Sequence, residues 1–222
     1  MGKPFLVLAS NSPRRRELLA LSGWDFDTLP AEVDENLRPG ETPGPYVLRL
    51  AESKARACNL RSPENRIILA ADTAVVDGKT ILGKPGDAAE AKDMLQRLRG
   101  HTHRVFTGIA AMRPGEGNLL TDLCVSEVPM RNYTDAEIDS YVASGDPLDK
   151  AGAYAIQHPE FRPVERMSGC YACVMGLPLC HLTRLMRRFD ILPLVDISSA
   201  CQSSLNYACQ VSAAILHGGQ TG

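Results

Sequence analysis

The sequence has little net charge and no long apolar segment. Its 24 basic and 26 acidic side chains leave a net charge of −2, so no overall field draws the chain to nucleic acid or to a membrane surface. No apolar run approaches the ~18 residues that span a bilayer. The opening Met1-Gly-Lys-Pro leads into a predicted strand without an apolar leader, which argues against a secretory signal. We therefore expect a cytoplasmic protein with no membrane partner and no stable nucleic-acid partner.

Several familiar site motifs are also missing. The sequence has no G-x-x-x-x-G-K-[ST] phosphate loop, and its five histidines form no metal-spaced cluster. Aromatic residues make up 5% of the chain, and none is interleaved with the basic residues as in single-strand nucleic-acid binders. The seven cysteines are an odd number, which favours reduced thiols. Cys170-x-x-Cys173 is not followed by a second zinc knuckle and does not obviously open a helix, so buried thiols are the better interpretation.

What the chain does contain is an alternation of strand and helix signals over 222 residues, of which 44% are apolar. Hydrophobic periodicity predicts strands at 5–9, 26–30, 67–71, 105–112, 119–131 and 153–157, and helices at 14–22, 45–58, 88–98, 135–144 and 179–189. This alternation predicts an α/β fold with a mixed twisted sheet and flanking helices. We expect one domain over residues 1–190 and a peripheral C-terminal tail over 191–222.

The junction between the first strand and the first helix is the most informative segment. Ser12 is placed to cap the helix, and Pro13 suits its first position. Arg14, Arg15 and Arg16 then lie at the positive end of the helix dipole, where a cation costs ~0.3–1 kcal/mol. A helix N-terminus already favours phosphate, and guanidinium groups strengthen that preference. The segment therefore predicts a polyphosphate site.

Three further positions each have a functional and an ordinary interpretation. Lys54 lies on the apolar stripe of helix 45–58, so it either has a partner in a cleft or reaches outward from the stripe edge. Asp72 ends the apolar run 67–71 and is either a metal ligand or general base, or a capping or turn aspartate. The pair Asp34-Glu35 follows a predicted strand and is either a site or part of a solvated loop.

Two loops offer groups for a nucleotide. Gly83-Lys84-Pro85 places a lysine on a constrained loop that could address a phosphate. Gln157 ends the predicted strand 153–157, and its amide offers both a donor and an acceptor. That pair matches the N3–H and O4 edge of uracil or thymine, although an ordinary strand-end glutamine explains the residue equally well.

Taken together, these segments resemble the Maf family of nucleoside triphosphate pyrophosphatases. The matching pieces keep the family's order from about residue 5 to 189, and they are Ser10-Asn-Ser-Pro-Arg-Arg15, Asp34-Glu35, Glu52-Ser-Lys54, Ala71-Asp-Thr73, Gly83-Lys-Pro85, 149–157 and Gly169-Cys-Tyr with Gly176-Leu-Pro178. The resemblance implies a Maf/ITPase-like fold with two lobes around a central cleft. It also implies a divalent metal (Mg²⁺ or Mn²⁺), a homodimer, and hydrolysis of a nucleoside triphosphate to monophosphate and pyrophosphate.

The resemblance also implies a role for each matching residue. Asp72 corresponds to the catalytic proton acceptor and, with Glu35, to the metal site. The groups around the phosphates correspond to Ser10, Arg14, Arg15, Lys54 and Lys84. The positions tied to substrate choice in the branch that acts on dTTP and UTP correspond to Arg15, Thr73 and Gln157. A sister branch linked to 7-methyl-GTP has an acidic residue near Gln157, so the glutamine favours the pyrimidine branch.

One departure and two alternatives accompany this interpretation. The segment His158-Pro-Glu-Phe-Arg-Pro163 stands where the family often has glycines. This difference could reshape the pocket for the base and so affects the substrate preference. One alternative is a non-enzymatic nucleotide- or nucleic-acid-binding regulator, because family members have been linked to septum formation. The other is a pyrophosphatase selective for ITP or XTP. If the chain acts on pyrimidine nucleotides, its expected biological role is to remove modified pyrimidine nucleotides from the nucleotide pool.

Overall fold

The structure, a computed structural model, describes residues 5–61, 66–115 and 117–219. Within these residues one sheet contains β1 (Phe5–Leu8), β2 (Asp25–Thr28), β3 (Ile67–Asp77), β4 (Thr80–Leu82), β5 (Thr102–Arg113) and β6 (Asn118–Pro129). The helices are α1 (Pro13–Ala20), α2 (Pro43–Asn59), α3 (Ala88–Leu98), α4 (Asp135–Ala143), α5 (Tyr171–Met175), α6 (Leu179–Arg187), α7 (Ile197–Leu205) and α8 (Ser212–Leu216). Short 3₁₀ turns cover Asp146–Asp149 and Ala151–Ala153.

The sheet is mixed, as predicted. Its strand order is β2-β1-β3-β5-β6, and β4 pairs with the far end of β3. The pairs β1–β2 and β1–β3 are parallel, whereas β3–β4, β3–β5 and β5–β6 are antiparallel. The structure therefore confirms the α/β class with a mixed sheet and flanking helices.

The prediction that the third strand ends at Asp72 is wrong. β3 continues to Asp77 because β5 pairs with it along its length and the hairpin to β4 extends it further. Along one edge of β3, β1 pairs as far as Leu69 and β4 pairs from Val75 onward. Asp72 lies between these two pairings, in the middle of a strand.

Side chains of β3 alternate between the two faces of the sheet. One face joins the large core cluster through Ile67, Leu69, Ala71 and Val75. The other face packs its Ile68 and Ala70 against Ala51 and Ala55 of α2. By this alternation Asp72 belongs to the α2 face, and Thr73 belongs to the opposite face.

A glycine lets α2 approach the sheet closely. Gly108 of β5 pairs with Asp72 of β3, and a Cβ on Gly108 would lie 2.7 Å from the carbonyl carbon and oxygen of Val47. Since Lys54 follows Val47 by about two helical turns, this close contact fixes the height at which Lys54 meets the sheet.

The sequence also predicts a cap at Asp87, a capping box of Thr134 with Glu137 and a hairpin turn at Asp77-Gly78, and the structure confirms these local signals together with the cap at Ser12. The Ser12 hydroxyl accepts from the Arg15 amide, and Pro13 begins α1. Asp87 caps α3, and Thr134 with Glu137 forms a capping box at α4. The Asp77-Gly78 turn joins β3 to β4.

The predicted strand at 153–157 is wrong. Gly152 and Ala153 have φ values of 68° and 59°, which is left-handed backbone that ends an extended segment. The next amides are not paired with a strand, since the Ala155 N–H donates to the Tyr141 hydroxyl at 2.9 Å. The segment is a 3₁₀ turn followed by a loop.

The expectation that Cys170-x-x-Cys173 does not open a helix is also wrong. Cys170 is the N-cap of the short helix α5, and both cysteines are buried. The Cys173 thiol lies 3.5 Å from the Cys124 carbonyl oxygen. The motif therefore packs in the interior as a helix start.

The segment after residue 190 lies against the rest of the chain. The indole N–H of Trp24 donates to the Leu192 carbonyl at 2.8 Å, and Ile197 and Ile215 are buried. Arg184 of α6 donates to the Gly219 carbonyl at 2.6 Å. The domain boundary at 190 stays a prediction.

Among the described helices, none is both long and apolar enough to cross a membrane.

A buried histidine gives the fold a pH dependence. His103 donates to or accepts from the Tyr154 hydroxyl at 2.8 Å, and burial, with the neighbouring His101, lowers its pKa from 6.5 to about 4. Between these values the unfolded chain binds the proton and the folded chain does not, so stability is present above pH 6.5 and is lost as the pH falls. We expect the free energy of unfolding to drop by about 3 kcal/mol between pH 6.5 and 4 from this group.

Urea unfolding across that pH range measures the effect. His103→Gln keeps a hydrogen-bonding side chain but removes the titration, so its stability should change less over the same range. Parallel curves for the two proteins would contradict the assignment to His103.

Candidate active site

A cleft of about 970 Å³ opens beside the middle of β3. It is bordered by the start of α1, the loop before α2, α2 itself, the loop after β4 and the segment 149–157. All nine predicted site residues line it, namely Ser10, Arg14, Arg15, Glu35, Lys54, Asp72, Thr73, Lys84 and Gln157. The structure thus brings the whole set together, while their individual roles stay predictions.

A lysine between two carboxylates forms the centre of the cleft. The Lys54 ammonium lies 2.5 Å from Asp72 Oδ1 and 2.7 Å from Glu35 Oε1. The side chains of Lys54 and Asp72 are only 12% and 11% exposed, whereas that of Glu35 is 59% exposed. Lys54 therefore has partners in a cleft, and Asp72 is neither a cap nor a turn residue.

The same geometry tests whether these residues fit a divalent metal. Glu35 Oε1 and Asp72 Oδ1 both contact the Lys54 ammonium, which fills the point where they meet, so a metal would be held through the second oxygen of each carboxylate. Among the described residues no group of three or more His, Cys, Asp or Glu side chains is arranged to hold a metal. Magnesium is commonly held by one or two carboxylates, with phosphates and water completing its shell. The pair fits that pattern as a partial ligand set.

The three arginines at the start of α1 separate into two groups. Arg14 and Arg15 are half-buried and line the cleft, whereas Arg16 is exposed and is not part of the lining. Ser10 lies beside them, and its hydroxyl accepts from the Ser12 amide at 3.1 Å. The cleft thus places two guanidinium groups near a capped helix N-terminus, which is a favourable arrangement for an anion.

Arg15 is held in position by hydrogen bonds to two other residues that line the cleft, Gly176 and Thr73. Its Nε donates to the Gly176 carbonyl at 2.9 Å, and its Nη2 donates to Thr73 Oγ1 at 3.1 Å. A Cβ at Gly176 would lie 3.2 Å from Arg15 Nε and 3.2 Å from Thr73 Oγ1, and the φ of Gly176 is +102°. Burial lowers the pKa of the Arg15 guanidinium, while the negative charge of Asp72 acts in the opposite direction. An arginine stays charged under such perturbations.

Lys84 and Gln157 reach the cleft from two neighbouring loops. The Gly152 amide donates to the Gly83 carbonyl at 3.0 Å, which joins the loop that carries Lys84 to the segment that leads to Gln157. Both side chains are exposed along the cleft. They are therefore available to a ligand.

The segment 158–163, which differs from the family pattern after Gln157, forms a turn that packs on α4. The Phe161 amide donates to His158 Nδ1 at 3.0 Å. The Phe161 ring stacks on Tyr141 with centroids 4.3 Å apart. These contacts hold the segment that follows Gln157 against Tyr141 of α4.

Sequence reasoning did not single out two residues that line this cleft. Tyr46 donates to the Glu35 carbonyl at 2.9 Å and so holds the loop that carries Glu35. Lys150 is buried, and its ammonium contacts Asp149 at 2.6 Å and Asp146 at 3.0 Å. Tyr46 precedes Lys54 on the same helix, and Lys150 stands inside the matching segment 149–157. These sequence positions were the only signals that pointed to Tyr46 and Lys150. The burial of Lys150 and the contacts of both side chains follow only from the fold.

A mixed α/β sheet with arginines, lysines and a buried carboxylate around one cleft defines a class of protein built to hold a polyanionic ligand. The particular family follows from comparison with known sequences. The chain belongs to the Maf-like protein family, whose sequence profile matches residues 5–189.

Curated relatives cover most of the chain. A dTTP/UTP pyrophosphatase from Anaeromyxobacter dehalogenans (strain 2CP-C) is 49% identical over 187 residues, which are 83% of this chain and 94% of the relative. A dTTP/UTP pyrophosphatase from Geobacter sulfurreducens is 45% identical over 192 residues, which are 86% of this chain and 100% of the relative. Among solved structures, a HAM1 protein from Coxiella burnetii aligns with 72% of this chain and 89% of its own, with a TM-score of 0.44 and 18% identity.

Proposed function

We propose that this chain hydrolyses dTTP, UTP and modified pyrimidine nucleoside triphosphates to the monophosphate and pyrophosphate. The dTTP/UTP pyrophosphatases that resemble it at 43–49% identity support this reaction. The observation that carries the proposal is the buried Lys54–Asp72 pair at 2.5 Å inside a cleft that is also lined by Arg14, Arg15 and Lys84. One carboxylate base among several cations suits attack of water on a polyphosphate.

The basic residues bind the triphosphate. Arg14 lines the cleft from the start of α1 and Lys84 from the loop after β4, and Ser10 offers a hydroxyl beside the N-terminus of α1. Phosphoryl-type transfer depends mainly on alignment and on neutralisation of developing charge. These groups neutralise the pyrophosphate as it leaves.

Asp72 takes the proton from the attacking water. Its place in the middle of β3, with only 11% of its side chain exposed, holds the carboxylate rigidly, and Lys54 fixes its orientation. Water attacks the α-phosphorus, the bond from that phosphorus to the bridging oxygen breaks, and pyrophosphate departs. Glu35 and Asp72 would hold Mg²⁺ or Mn²⁺, which when bound supplies further neutralisation of the triphosphate.

We assign recognition of the base to Gln157, which lines the same cleft. Gln157 presents an amide with one donor and one acceptor side, which pairs with the O4 and N3–H edge of uracil or thymine. Arg15 and Thr73 are the other residues that we assign to substrate choice. This assignment predicts preference for pyrimidine triphosphates with an intact imide edge.

Product analysis tests the proposal. Purified protein with Mg²⁺ or Mn²⁺, and with chelator as the control, is given dTTP, UTP, CTP, ITP, XTP, 5-methyl-UTP and pseudo-UTP. We expect monophosphate and pyrophosphate from the uracil and thymine nucleotides only when metal is present. Faster turnover of the modified bases supports a role in cleaning the nucleotide pool, whereas equal or slower turnover contradicts that role.

Other outcomes of the same panel favour the alternatives. Preferential hydrolysis of ITP or XTP indicates a purine pyrophosphatase. Binding without turnover of any nucleotide indicates a regulator. A homodimer in the cytoplasm remains part of the proposal, and sedimentation analysis of the purified protein tests the dimer.

A further inference from the structure

A chain of hydrogen bonds leads from the cleft into the core. Arg15 Nη2 donates to Thr73 Oγ1 at 3.1 Å. Thr73 Oγ1 lies 2.9 Å from Thr107 Oγ1, and Thr107 Oγ1 lies 2.8 Å from the Cys173 carbonyl oxygen. Thr107 is fully buried, whereas Thr73 is half-buried and lines the cleft. The two threonines face each other directly across the β3–β5 pair.

The direction of every bond in this chain is fixed. A carbonyl oxygen only accepts, so the single hydroxyl hydrogen of Thr107 is donated to Cys173. Thr107 can then only accept from Thr73, which uses the single hydroxyl hydrogen of Thr73. An arginine only donates, so one lone pair of Thr73 Oγ1 is taken by Arg15. What remains on Thr73 toward the cleft is one acceptor lone pair and no donor.

We propose that Thr107 is a positioning residue that makes Thr73 an obligate hydrogen-bond acceptor and so selects nucleotides that present a donor there. This inference rests on the proposed function, because it names how that same cleft chooses its substrate. The nucleoside donors in UTP are the imide N3–H, which Thr73 would share with the carbonyl oxygen of Gln157, and the sugar hydroxyls. Cytosine has an acceptor at N3 in place of the imide donor, so an acceptor-only Thr73 disfavours it.

The test compares substrate preference in Thr107→Val and Thr107→Ser. Valine removes the hydroxyl and frees the Thr73 hydrogen to point into the cleft, whereas serine keeps the chain intact. We expect Thr107→Val to lower the ratio of kcat/KM for UTP over CTP by about tenfold or more. Thr107→Ser should retain the wild-type ratio. A purely structural defect would lower kcat/KM for both substrates by the same factor.

Two further substrates separate the possible donors. The ratios of kcat/KM for UTP over dUTP and for UTP over 3′-deoxy-UTP report on the sugar hydroxyls. If those ratios fall while the UTP to CTP ratio stays, the donor is a sugar hydroxyl and the acceptor role of Thr73 stands. If no ratio changes by more than about twofold in Thr107→Val, the proposal is wrong.

Two further measurements keep the test decisive. In a Thr73→Val background, Thr107→Val should cause no further change in the ratios, because the two residues act in one chain. Dissociation constants for α,β-imido analogues of UTP and CTP, measured by calorimetry, read the same preference without turnover. Binding with the expected ratios but no hydrolysis overturns the proposed function alone. Hydrolysis with unchanged ratios overturns the role of Thr107 alone, and absence of binding overturns both.

Discussion

Asp72→Asn should lower kcat for UTP by about 10²–10⁴-fold, the range that a general base contributes. The asparagine keeps the size of the side chain and its place in the middle of β3, but it can no longer accept the proton of the attacking water. Lys54 keeps its second partner, Glu35, at 2.7 Å, so the ammonium is not left without a carboxylate. The fold should therefore survive the substitution.

The chain offers a matched control on the same strand. Asp77 is the last residue of β3 and pairs with Arg97 at 2.6 Å, and it is not among the residues that line the cleft. Asp77→Asn should leave kcat within about twofold of the wild type, as expected for a surface ion pair remote from the chemistry. Circular dichroism and thermal unfolding of both variants separate lost chemistry from lost structure. Near-normal turnover in a folded Asp72→Asn protein would remove Asp72 from the mechanism.

Gly108→Ala should destabilise the protein by about 1–3 kcal/mol or more, the cost of overpacking a tight interior. The added methyl group would lie 2.7 Å from the carbonyl carbon and oxygen of Val47 and 2.8 Å from the Leu48 nitrogen. These are backbone atoms of α2, which cannot move aside without moving the helix. Because α2 carries Lys54, we also expect kcat to fall in the fraction that stays folded.

Chemical denaturation measures this effect, and Gly83→Ala is its control for stability. A Cβ on Gly83 meets nothing within 4 Å, so that variant should change the free energy of unfolding by less than about 0.5 kcal/mol. If Gly108→Ala is as stable as Gly83→Ala, the close approach of α2 to β5 is not a constraint on the fold.

Features that depend on a few neighbouring residues were predictable from the sequence. The cap at Ser12 and the capping box of Thr134 and Glu137 each need only a side chain and an amide three residues away. The hairpin at Asp77-Gly78 likewise depends on local backbone preference. In each case the residues that predict the feature and the residues that form it lie within about one helical turn of each other along the sequence.

Features that depend on distant partners were harder to predict. The extension of β3 beyond Asp72 requires pairing with β5. The segment 153–157 is not a strand, and its Ala155 amide instead donates to the Tyr141 hydroxyl. Seven of the nine cleft residues carried a local signal, but only the family resemblance grouped them with Ser10 and Thr73 into one site, since spacing along the chain does not show that residues meet. Thr107 had no signal at all, because one threonine in an apolar strand looks like any other.

The most direct test of the central claim is the fate of the water oxygen. UTP is hydrolysed in ¹⁸O-labelled water with Mg²⁺ or Mn²⁺, and the products are separated and weighed by mass spectrometry. Attack on the α-phosphorus predicts one ¹⁸O atom in UMP and none in pyrophosphate. Label in pyrophosphate, or formation of UDP with labelled phosphate, would contradict the account.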